Sequence, residues 1–179
     1  MARQVQHGEL PVAEVDPVAI VFYGHSQGST EGSLALPFTD TYKAAVLSGN
    51  GASLTHSLLA KKQPVNIAGA LPFVLADIGD AGQLRGGDMH PVLTLLQIWV
   101  DPADPLNFAR VIGAAPETGK APKHIFQTYG IGDTYSPAKT LAAFVLTAGL
   151  ELATHDASAK DPEMIGDPPG LAQKALPLA

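Results

Sequence analysis

An α/β fold built on a parallel sheet is what this sequence predicts, and three observations predict it. Segments that read as strands occur at 18–23, 43–48 and 124–129, the first of them a continuous apolar, β-branched-rich run of the kind found in parallel sheets. Segments with apolar residues at helical spacing lie between and after these runs. Glycine and proline mark the joins. Strands alternating with helices pair in parallel through right-handed crossovers, and ligands gather at the carboxyl ends of such strands.

Residues 1–17 carry acids and prolines and read as a loop. The run at 18–23 reads as a strand buried on both faces. It leads into Gly24-His25-Ser26-Gln27-Gly28 and a helix at 27–36. Gly28, Gly32 and Leu36 recur every four residues, which predicts a small-residue face pressed on the sheet, and Pro37 stops the helix. Residues 43–48 are the next strand, closed by Gly49-Asn50-Gly51. Residues 52–122 then read as a helical excursion, with short helices at 54–60, 67–78 and 91–100. The chain returns as a strand at 124–129. Gly130-Ile131-Gly132-Asp133 follows it, and a helix runs from Pro137 to about 148, with Gly149 ending it. Residues 150–154 read as a last strand, residues 156–179 are assigned no element, and no internal repeat is visible.

Composition narrows the function classes. With 179 residues, 46 % hydrophobic and 16 % charged, the chain builds one domain with a core. Its net charge is −6, and Lys61-Lys62 is its largest basic cluster, so a nucleic-acid surface is not expected. The absence of cysteine excludes disulfides, thiolate catalysis and thiolate-bound zinc. No histidine pair has metal-ligand spacing, and neither a metal nor a cofactor is expected. No apolar run is long enough for a transmembrane segment, and the polar start, Met1 to Gly8, lacks a signal-peptide core.

The motif that carries chemistry is a strand ending in Gly-x-Ser-x-Gly and opening a helix, the arrangement of a nucleophile elbow. The turn strains the serine backbone and projects its hydroxyl above the sheet. Its tightness is expected to exclude side chains at Gly24 and Gly28. The bland alternative is a strand-to-helix turn with Ser26 as a capping residue. Ser26 and Asp133 each lie just past the carboxyl end of a strand.

These residues resemble the α/β-hydrolase superfamily over about residues 15–155. The strand, Gly24-His25-Ser26-Gln27-Gly28 and the helix are similar to its elbow. Gly130-Ile131-Gly132-Asp133-Thr134-Tyr135-Ser136-Pro137 resembles its acid turn, and the order Ser then Asp matches. The resemblance implies a partial hydrolase sheet over 1–51 and 123–179, with a helical cap inserted at 52–122. It also implies a serine esterase or lipase acting on a small-molecule ester or lipid-like substrate. Ser26 would be the nucleophile and Asp133 the triad acid, and the N–H of Gln27 would be one oxyanion donor. Loss of such a donor costs about 3–4 kcal/mol of transition-state stabilisation. Only residues 1–17 precede the elbow strand, and no Gly-His-type loop follows Asp133. The chain is therefore expected to be a fragment lacking the early strands, the second oxyanion loop and the catalytic histidine, and to be prone to aggregate. A degenerate hydrolase domain that binds without catalysis is the alternative.

The remaining titratable residues have bland readings beside the functional ones. His155, the one histidine after Asp133, is either the base or a strand-end surface residue. His25 is expected to pack below the elbow, and His90 to cap the helix at 91–100 or to face a pocket. His56 and His124 read as cap and strand-start residues. Asp101 and Asp104 read as helix caps in an Asp-Pro turn, with Asp88 nearby, and Asp77 and Asp80 as solvated. Phe73, Leu95, Leu96, Ile98 and Trp99 read as core or as the lining of an acyl pocket.

Overall fold

The computed structural model describes residues 16–154 and the strand 173–175. Three strands, β1 (Val21–His25), β2 (Ala44–Ser48) and β3 (His124–Thr128), form a parallel sheet in the order β1-β2-β3. Val21 pairs with Ala44, and Ala44 with His124; the ladder ends with His25, Ser48 and Thr128 aligned. The three carboxyl ends therefore lie at one edge of the sheet.

Six α-helices accompany the strands among the described residues: α1 (Gln27–Ala35), α2 (Leu54–Ala60), α3 (Ile67–Val74), α4 (Pro91–Val100), α5 (Leu106–Ile112) and α6 (Ala138–Ala148). Leu36, Ala45, Leu47, Ala109, Ile112 and Phe144 are nearly solvent-free and form the core, with Phe22 and Ile125 packed against it. That core lies on one face of the sheet, beneath α1, α5 and α6. Gly32 lets α1 approach, since a Cβ there would run into the Phe22 ring. Gly149, at φ 71°, closes α6 in the left-handed conformation that glycine adopts without strain.

The elements expected around the sheet are present, with four differences. The first strand begins at Val21 and continues through Gly24 and His25, and it is not buried on both faces: Tyr23 is 68 % and Phe126 of β3 57 % exposed. Strands that follow one another in both sequence and space, joined by crossovers of one hand, put their helices on a single face. The second helix of the excursion stops at Val74 because Ala76 takes a positive φ of 52°. Helix α5 has no counterpart in the sequence reading. It is seven residues long, yet Ala109 and Ile112 are in the core. Finally, the strand near 150–154 forms as β4 (Leu152–Thr154), but it pairs in parallel with β5 (Gln173–Ala175) as a separate sheet.

Candidate active site

Ser26 sits at the turn from β1 into α1 with φ 52° and ψ −125°. A non-glycine residue holds such a conformation at a cost of about 1–3 kcal/mol, so the surroundings must impose it. They do so from two sides. Ser26 N–H donates to Ser48 O across to β2 at 2.8 Å, and Ser26 O accepts from the N–H groups of Ser29 and Thr30 as α1 begins. The Ser26 side chain makes no capping hydrogen bond, and the residue is exposed. The capping-serine reading therefore does not describe this turn.

The two elbow glycines differ. A Cβ on Gly24 would lie 2.7 Å from Ser29 Cα, a backbone clash that nothing nearby can relieve. A Cβ on Gly28 would meet nothing within 4 Å. The expected steric need is real at Gly24 and absent at Gly28, because Gly28 is on the solvent side of the first turn of α1.

Asp133 follows β3 in a tight loop. Its Oδ1 accepts from the N–H groups of Tyr135 at 2.7 Å and Ser136 at 3.0 Å, and its own N–H donates to Gly130 O. Ser136 Oγ donates to Gly49 O at 2.9 Å and ties the loop to the end of β2. An open cleft of about 390 Å³ is lined by His25, Ser26, Gly49, Asp133, Tyr135 and Ser136. Ser26 and Asp133, 107 positions apart in the chain, thus share one cavity. None of its lining residues comes from 52–122. Gln27 is exposed at the start of α1. Its N–H, too early for an intrahelical partner, has no acceptor among the described residues, and its side chain bonds Glu31.

His25 does not pack below the turn. It is exposed on the cleft side, with Nδ1 3.1 Å from Ser48 Oγ, because the alternation of β1 points it to the uncovered face. Among the described residues, no histidine is hydrogen-bonded to Ser26 Oγ or to Asp133. His155 and His7 lie outside the described residues.

Polar groups within 52–122 build structure. Asp104 is fully buried and accepts from four donors: the N–H groups of Ser53, Leu54 and Leu106 and Gln97 Nε2, all at 2.8–2.9 Å. It caps α2 and α5 together. Ser53, His56 and Asp88 stand in Ser-His-Asp order, with Ser53 Oγ 2.5 Å from His56 Nδ1 and His56 Nε2 3.9 Å from Asp88 Oδ2. This series is unsuited to acyl transfer, since the amides nearest the hydroxyl are already bonded to the Asp104 carboxylate, whose charge opposes an oxyanion there. His90 caps α4 by accepting from Val92 N–H. Asp77 is paired and not merely solvated. The hydrogen bond from Arg85 holds its carboxyl below the usual range against an opposing effect of burial, and His90 adds to the lowering. Among the described residues, no group of three or more His, Asp or Glu is arranged to hold a metal ion, and no helix is long and apolar enough to cross a membrane. Phe73, Leu95, Ile98 and Trp99 are exposed and line neither the core nor the cleft. Their helices bury the opposite side, through Pro72 and Leu93.

Compared with known proteins, the chain matches no family, no curated protein and no solved structure.

Proposed function

We propose that this chain carries the nucleophile and the acid of a serine hydrolase of the α/β-hydrolase type, acting on a carboxylic ester or lipid-like small molecule. The observation that supports this most is the strained Ser26. Its backbone is forced to φ 52°, its hydroxyl is not used in capping, and it shares a cleft with Asp133. Ser26 Oγ attacks the ester carbonyl and an imidazole takes its proton; the ester C–O bond then breaks and the imidazolium gives that proton to the departing alcohol, while Asp133 orients the imidazole and stabilises its charged form. Gln27 N–H receives the developing oxyanion at the start of α1, where the helix dipole favours negative charge. The acyl group is then released from Ser26 by water. The imidazole comes from beyond the described residues. Residues 52–122, expected as the cap, line no part of the cleft and place α5 in the core.

The test is hydrolysis of p-nitrophenyl esters of increasing acyl length by the protein and by Ser26→Ala. Turnover that disappears in Ser26→Ala is the expected result. Turnover unchanged by Ser26→Ala, or none at all in the folded protein, overturns the reading. One observation favours a second reading, a hydrolase-like domain that binds esters without cleaving them: no described histidine is hydrogen-bonded to Ser26 Oγ or to Asp133. Saturable ester binding without turnover identifies it.

A further inference from the structure

Ser29 is fully buried on the first turn of α1, where a small apolar residue would fill the space at less desolvation cost. Its hydroxyl lies 2.6 Å from Ser26 O and 3.1 Å from Ser48 O. Both carbonyls already accept backbone N–H groups: Ser26 O from Ser29 and Thr30, and Ser48 O from Ser26. The hydroxyl is therefore not needed to satisfy an orphaned acceptor. It adds a shared donor between the strained residue and the neighbouring strand, at the point where the elbow is anchored to β2. The Ser29 backbone also packs against Gly24, where a Cβ would come within 2.7 Å. Ser29 thus touches Gly24 of β1, the carbonyl of Ser26 and the end of β2.

We infer that Ser29 is a positioning residue. Its hydroxyl clamps Ser26 O to the end of β2 and so fixes the direction in which Ser26 Oγ enters the cleft. The inference rests on the serine-hydrolase reading and goes beyond it, since that reading requires only Ser26, Asp133, an oxyanion donor and a base. Ser33, one turn further along α1, supplies the comparison. It is equally buried and its Oγ donates to Ser29 O at 2.8 Å, but it reaches neither Ser26 nor Ser48.

The experiment measures covalent labelling of Ser26 by a small alkyl fluorophosphonate in the protein and in Ser26→Ala, Ser29→Ala and Ser33→Ala. Probe concentration is varied so that the maximal labelling rate separates from the half-saturating concentration. Thermal melting is recorded for each variant. The expected result is labelling absent in Ser26→Ala. In Ser29→Ala the maximal rate falls about tenfold, as a misdirected nucleophile does, while half-saturation and melting stay unchanged. Ser33→Ala labels at the parent rate. If Ser29→Ala also labels at the parent rate, the inference is overturned while the hydrolase reading stands. If Ser29→Ala slows only together with a lost melting transition, or Ser33→Ala slows equally, Ser29 is a packing residue and the inference fails. If the parent protein is not labelled at Ser26, both fall.

Discussion

Around the three-stranded sheet, backbone ladders and a cluster of buried apolar side chains set the order; between residues 52 and 122, a single carboxylate does much of that work. Leu36, Leu47 and Phe144 are essentially dry beneath the sheet. Asp104 is equally dry, but what it holds is the N-termini of α2 and α5 and the side chain of Gln97. Meanwhile Phe73 and Val74 of α3 and Leu95, Ile98 and Trp99 of α4 face outward, with Trp99 79 % exposed. Apolar contacts are many and each is weak, so a core tolerates a small loss. A polar hub concentrates its contribution in a few short bonds, and removing it strands every donor at once.

That contrast can be broken most sharply at the hub. Asp104→Ala leaves buried donors on two helices unpaired and is expected to cost about 3 kcal/mol or more, read as a lower midpoint in urea unfolding. Asp104→Asn should fall between the two, because its amide keeps one acceptor oxygen.

The elbow comes next. Gly24→Ala drives a methyl into the Ser29 backbone and is expected to destabilise by about 2 kcal/mol or more and to abolish any Ser26 labelling. Gly28→Ala meets open space and should stabilise α1 by up to about 1 kcal/mol, leaving labelling intact. Equal losses at the two positions in chemical denaturation would show that the turn is not built as described.

A smaller effect is expected at Lys123, which is buried just before β3. Burial is the main cause that lowers its pKa from the ordinary 10.5, with Asp40 opposing. The folded state therefore binds fewer protons than the unfolded state between the lowered value and 10.5, and stability rises with pH through that window. Lys123→Met should raise the melting temperature slightly at neutral pH and flatten this rise; a lowered melting temperature would contradict the account. The smallest effect is expected at Trp99. Its side chain is mostly in water, so Trp99→Gln should change stability by less than about 0.5 kcal/mol in the same urea titration.

The elements around the sheet were legible in the sequence because their signals are local. β-branched runs, Pro37 and Pro137 near helix limits, and Gly149 past the end of α6 each act within a few residues. The excursion was less legible. Helix α5 is shorter than two full helical periods, so its apolar spacing carries little signal, and α3 ends where Ala76 turns left-handed without a glycine to announce it. The apolar residues of α4 have the spacing of a buried face, yet only Leu93 is buried, because no described element packs on the other side.

By itself the sequence determined the strand–turn–helix around Ser26, the order of Ser26 and Asp133, and a helical stretch between the second and third strands. These depend on steric limits and periodicities within a few residues. Only the tertiary structure decided that Ser26 and Asp133 open into one cleft, that Gly24 but not Gly28 is sterically required, that His25 faces the cleft, and that Asp104 joins two helices. Each of those depends on what a distant segment places against the residue, and no local pattern in the chain encodes that placement.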